Sequence, residues 1–143
     1  MHLLKSLAIT VFLATSALAQ SIVVDAPRSG ANIPLTSTNL TVQIEHPDTL
    51  SASKEVSVAI GYKICTAHEG CGPGAALLYN GPYTPTLHTQ TIPGAPSFYQ
   101  NFTFPSPFFT PGPVEITVVH FFDIGAGENI PFVETVSVNF NIV

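Results

Sequence analysis

Apolar and polar residues alternate one by one through much of the chain, and no window carries the three- and four-residue apolar spacing that a helix face needs. Leu40, Val42 and Ile44 alternate with Asn39, Thr41, Gln43 and Glu45. Val56, Val58, Ile60, Tyr62 and Ile64 alternate with Glu55, Ser57, Ala59 and Lys63, and Val136, Val138, Phe140 and Ile142 with Thr135, Ser137, Asn139 and Asn141. An extended strand sends successive side chains to opposite faces, so each run is a ribbon with one wet and one dry side. Residues 114–124 (VEITVVHFFDI) are apolar on both faces in their middle, as a central strand requires. Shorter runs at 22–25, 76–79 and 98–104 complete the set, with turns among the 13 prolines and 10 glycines between them. Dry faces must be covered by a second layer, so the expected fold is all-β, an antiparallel β-sandwich of about seven strands of the immunoglobulin or fibronectin type III kind. The chain has no tryptophan and no pair of distant cysteines, which favours a fibronectin-like core of Val, Tyr and Phe over an antibody-like one. A small barrel is the alternative.

With 143 residues, 45% hydrophobic and 9% charged, the composition suits one packed domain and excludes both a disordered chain and the large cofactor-binding folds. Residues 1–19 read as a signal peptide: Lys5 supplies the positive start, residues 7–13 (LAITVFL) the apolar stretch, and Ala17-Leu18-Ala19 the small-x-small cleavage site. The single domain then covers residues 20–143. No later run is long enough for a spanning helix, so the mature form is expected to be secreted and extracellular, with no membrane span. Without its leader the chain keeps three basic residues, Arg28, Lys54 and Lys63, against nine acidic ones, a net charge of -6. Such a surface repels phosphate backbones, so no nucleic-acid partner is expected.

Cys65 and Cys71 are the only cysteines, with five residues between them, and an oxidising compartment favours a disulfide. Cys65, His68, Glu69 and Cys71 also offer metal-ligand chemistry, but structural zinc sites draw on two separated ligand pairs and no second pair follows. The expectation is a disulfide with no metal and no cofactor. Two Asn-x-Thr sequons, at Asn39 and Asn101, suit N-glycosylation in the same compartment. Strand alternation would point Leu40 and Phe102 inward and both asparagines outward.

Catalytic patterns are missing from the sequence, and the chain is expected not to be an enzyme. No G-x-S-x-G turn presents a nucleophile, and His46, His68, His88 and His120 have no mutual spacing that suggests ligation or relay. The acids are scattered rather than paired across a cleft. Gly125-Ala126-Gly127 lacks the third glycine and following helix of a phosphate loop and is read as a turn. Secreted copper oxidases of polysaccharides need a histidine at the mature amino terminus, where this chain has Gln20. His120, inside the apolar VVHFF run, needs a hydrogen-bond partner if buried and would then respond to pH. The segment 81–97, with four prolines, is a long connection of the kind that binds something or crosses between sheets. Tyr83, Phe108 and Phe109 are the expected partner-binding anchors, and Tyr79, Tyr83 and Tyr99 the stacking platforms if the ligand is a sugar polymer.

Several stretches, VVDAPRSGANI, EVSVAIGYKIC, LLYNGPYTP, YQNFTFP and IGAGENIPFVETVSVNFNIV, together resemble small secreted proteins of basidiomycete fungi in the necrosis-inducing secreted protein (Nis1) family. The similarity covers nearly the whole mature chain and rests on strand patterns, turns and a sequon. It implies a fungal effector that binds host proteins, specifically plant immune receptor-associated kinases, to suppress pattern-triggered immunity, with necrosis as a further outcome and translocation into host cells as a possible route. The alternative is a non-catalytic cell-wall or carbohydrate-binding surface protein.

Overall fold

The computed structural model describes residues 21–47, 53–66, 70–71, 76–88, 97–108, 110–125 and 130–143. Residues 1–20, and with them the expected leader, lie outside that set. The described residues form ten strands and no helix: β1 (Val23–Ala26), β2 (Asn32–Ile33), β3 (Asn39–Pro47), β4 (Ser53–Thr66), β5 (Gly70–Cys71), β6 (Ala76–Pro82), β7 (Thr86–His88), β8 (Ser97–Pro105), β9 (Gly112–Ile124) and β10 (Ile130–Ile142). The seven runs read from the sequence correspond to β1, β3, β4, β6, β8, β9 and β10. The three added strands, β2, β5 and β7, have only two or three residues each, too short for a periodic signal.

Two sheets make a β-sandwich. One has the order β1-β3-β8-β7; the other has β2-β10-β9-β4-β5, with β6 also paired to β4. All pairings are antiparallel except that of β2 with β10, which is parallel. The longest ladder joins β9 to β10, running without a break from Ile130 opposite Ile124 to Ile142 opposite Gly112. The connection 81–97 is partly structured: β7 forms within it and pairs with β8.

The dry faces meet as the alternation requires. Leu40, Val42 and Ile44 of β3 and Phe102 of β8 pack against Val58 and Ile60 of β4, Val114, Ile116 and Val118 of β9, and Val138, Phe140 and Ile142 of β10. Burying a side chain of this size contributes roughly 1.5–3 kcal/mol relative to leaving it in water. At one end, Phe108 closes the core with its ring edge-on to Tyr62 at 5.4 Å and to Phe140 at 6.0 Å. Nearby, Cys65 and Cys71 face each other across the β4–β5 ladder and are joined by a disulfide. So short a ring adds about 2 kcal/mol by restricting the unfolded chain, which tightens the hairpin without holding the sheets together.

Two residues of β4 depart from the simple alternation. Val56 and Ile64, expected inside, are 45% and 53% exposed. Val56 sits at a bulge: Glu55 pairs with Phe122 and Ser57 with Phe121, so two residues span one step of the neighbouring strand. A bulge turns the local strand and re-aims a side chain. Here Val56 is set outside and Glu55, expected on the wet face, shares the inward face of Phe122.

Candidate functional site

The end of the sandwich opposite Phe108 is closed by polar groups. The inward series of β3 continues past Ile44 to His46, that of β9 past Val118 to His120, and that of β10 back from Val136 to Glu134. The bulge adds Glu55. Buried charged groups are tolerated only when paired and hydrogen-bonded, and three of these four residues meet that condition through one another.

His120 is fully buried. Its Nδ1 donates to Glu134 Oε1 at 2.9 Å, directly across the β9–β10 ladder. Its Nε2 donates to Glu55 Oε2, which reaches in from β4 on the other side. A neutral imidazole has one donor and one acceptor nitrogen. Two ionised carboxylates, one on each nitrogen, instead suit the doubly protonated cation. Burial pulls the proton off His120, but the hydrogen bonds and charges of Glu55 and Glu134 outweigh it, and the pKa is raised above the ordinary 6.5. The ring of Phe122 stacks on the imidazole at 4.8 Å, a favourable neighbour for a cation.

The cluster also ties the sheets together. His46, on the other sheet, brings Nε2 to 3.3 Å from Glu55 Oε1. Neither of these two buried atoms has a hydrogen-bond partner among the described residues. Glu134 reaches the chain leading into β1, accepting from the Ile22 amide at 3.0 Å and from Ser21 Oγ at 2.7 Å. Tyr83 lies edge-on to His120 at 5.3 Å and donates its hydroxyl to the Ile44 carbonyl of β3 at 3.1 Å. Burial first, then the negative charges of Glu55, Glu45 and Glu134, drive the Tyr83 pKa well upward, so its hydroxyl keeps its proton.

Chemically, this arrangement stores a proton rather than moving one. A general base needs a free nitrogen within reach of a substrate proton, and both nitrogens of His120 are engaged by carboxylates. Among the described residues no three His, Cys, Asp or Glu side chains are arranged to hold a metal ion.

Several residues singled out from the sequence occupy other places. Tyr83 and Phe108, expected as partner-binding anchors, are 1% and 6% exposed. Both are core residues, Tyr83 because its ring closes the polar end and Phe108 because its ring closes the apolar one. They present no surface to a partner. Phe109 and His68 lie outside the described residues. His88, on β7, is half-buried and stacks on Tyr99 of β8 at 3.6 Å with the rings 13° from parallel. Asn39 and Asn101 are exposed, while Leu40 and Phe102 are buried. Tyr79 packs on Phe102 and donates its hydroxyl to the Pro82 carbonyl at 2.9 Å.

An exposed apolar group borders the polar cluster. Phe121 and Val133 face each other across the β9–β10 ladder on the outer surface, with Val56 at the adjacent bulge. Ile130 and Phe132, at the start of β10, lie on the opposite face of that strand, the face of Ile124 and Phe122, where the Phe132 ring stacks on Phe122 at 5.8 Å. All five are between 44% and 60% exposed.

No known family profile matches the chain, and no curated protein is similar to it.

Proposed function

We propose that this chain is an exported, non-catalytic binding protein on an immunoglobulin-like sandwich. The strand orders β1-β3-β8-β7 and β2-β10-β9-β4, with β5 and β6 both paired to β4 and β2 parallel to β10 at the edge, support that fold reading, because they fit an A-B-E-D sheet packed on a G-F-C sheet extended by C′. The disulfide and the two sequons suit an oxidising secretory route.

The observation that carries the binding reading is the exposed group Val56, Phe121 and Val133 on the outer face of the six-stranded sheet. Contiguous apolar surface of this kind on a small domain marks an interaction site, and aromatic side chains make good interface anchors. Pro131, two residues before Val133, lacks an amide hydrogen and guards this part of β10 against strand addition. Contact is therefore made by side chains rather than by a new sheet ladder. The resemblance to the necrosis-inducing secreted proteins supplies the partner class, a plant immune receptor-associated kinase, with suppression of pattern-triggered immunity as the consequence and host-cell entry as the route to a cytoplasmic kinase face.

The test is direct binding of the purified protein to recombinant receptor-associated kinases. The wild type is expected to bind and Phe121→Ser with Val133→Ser to bind at least tenfold more weakly, with an unchanged unfolding midpoint; absence of binding to any such kinase overturns the partner assignment. A cell-wall ligand is the second reading, favoured by the half-buried His88–Tyr99 ring pair on the outer face of the four-stranded sheet. Sedimentation with chitin, glucan and cellulose decides it, since a wall-binding protein leaves the supernatant with at least one polymer and loses that property in Tyr99→Ala.

A further inference from the structure

The outer face of the four-stranded sheet carries both sequons. On β3 the outward residues are Asn39, Thr41, Gln43 and Glu45; on β8, read in the opposite direction, they are Pro105, Thr103, Asn101 and Tyr99. Asn39 therefore lies opposite Pro105, Thr41 opposite Thr103, Gln43 opposite Asn101 and Glu45 opposite Tyr99. Each sequon's middle residue, Leu40 or Phe102, is buried, so its Asn and Thr share the open face. Along β3, Asn39 and the residue opposite Asn101 are four positions apart, roughly 13 Å, far enough for two branched sugars to stand side by side.

Asn101 has two further features. Gln43 Nε2 donates to its Oδ1 at 2.9 Å, a contact that fixes the carboxamide while using the oxygen and not Nδ2, the atom a sugar takes. Two residues earlier on the same face stands Tyr99, half-buried, its ring held parallel to that of His88. Side chains two apart on one strand face are neighbours. A sugar on Asn101 therefore begins beside an immobilised aromatic ring, a surface on which the apolar face of a pyranose packs.

We propose that Asn39 and Asn101 carry N-linked glycans that cover the outer face of the four-stranded sheet, and that the first sugar on Asn101 packs against Tyr99. The inference rests on the export reading above. In the transfer step the carboxamide nitrogen forms a bond to the anomeric carbon of a lipid-diphosphate-linked oligosaccharide. The bond from that carbon to the diphosphate oxygen breaks, the lipid diphosphate leaves with the electron pair, and the amide proton goes to base. With this face covered, the apolar group on the other sheet is left as the open surface for a protein partner.

The full chain is expressed in a eukaryotic secretory host, and the protein in the medium is weighed before and after peptide-N-glycosidase. The expected result is two oligosaccharides, one lost in Asn39→Gln, one in Asn101→Gln and both in the double variant, with Asn39 and Asn101 of the wild type converted to Asp by the glycosidase. Thr41→Ala and Thr103→Ala should each lose the corresponding sugar although the asparagine remains. Exported protein with the bare polypeptide mass overturns the glycan proposal. A chain retained inside the cell contradicts export instead, and the sequons are then tested behind a leader of known function. Removing the sugars should lower the thermal midpoint of the wild type but not of Tyr99→Thr; an equal drop in both overturns the packing against Tyr99.

Discussion

At the end of the sandwich where β4 finishes and β9 begins, Tyr62, Phe108 and Phe140 close the core through edge-on ring contacts. At the opposite end the same strands bring Glu55, His120 and Glu134 into line, with His46 meeting them from the other sheet and Tyr83, just after β6, reaching across to the Ile44 carbonyl. The first closure depends on area and shape, which protons do not alter. The second depends on charge, because His120 can donate to both carboxylates only while the imidazole is cationic. One sheet pair thus has a pH-indifferent end and a pH-responsive one.

The comparison is broken most severely at Phe140, which is 1% exposed. Replacing it by Ala should cost about 3–5 kcal/mol, transfer and cavity terms together. Denaturant titration should give the same loss at pH 5 and at pH 8; a loss that changed with pH would show that the two ends are not independent. Glu55→Ala comes next. It leaves a buried cation with one partner instead of two, a change expected to cost about 3 kcal/mol at pH 5 and less at pH 8, where His120 is less often charged. If the two pH values gave equal losses, Glu55 would be acting through packing and not through His120.

The third effect is read in the wild type itself. The His120 pKa is raised in the folded state, so folding binds its proton more tightly than the unfolded chain does. That contribution is fully present below the unfolded value near 6.5 and is lost as the pH climbs through the higher folded value. The unfolding midpoint should therefore decline on the alkaline side of 6.5, and His120→Gln should flatten most of that slope. The groups facing His120 are Glu55 from β4, Glu134 from β10 and Tyr83, with His46 of β3 beside Glu55. A slope unchanged in His120→Gln would show that His120 does not carry it.

Much of this was legible in the alternation. Counting in twos from Leu40 reaches His46, from Val114 reaches His120, and from Ile142 back reaches Glu134, so three of the four cluster residues lie on inward positions of the sequence. They escape notice because polar residues normally end a dry series, and only burial reveals that the series continues. Glu55 was not legible. The bulge at Val56 shifts its parity by one, and a bulge with no glycine or proline has no sequence signature. Tyr83 and Phe108 were misread because they follow strands, where an aromatic is as easily folded under the sheet ends as offered to a partner. Among the exposed apolar residues near the cluster, Val56, Ile130 and Phe132 fall on the inward parity of their strands and carry no mark that separates them from core residues, whereas Phe121 and Val133 fall on the outward parity of β9 and β10.

The bulge at Val56 makes β4 one residue longer than the ladder it serves. Deleting Val56 would set Glu55 directly before Ser57 and still opposite Phe122, keeping the carboxylate beside His120 in an unbroken strand. Deleting Val58 would instead draw Ser57 onto the inward position opposite His120 and put a hydroxyl where the core holds a valine. Val56 is thus a spare link, whose removal subtracts from the exterior while the interior stays as it was.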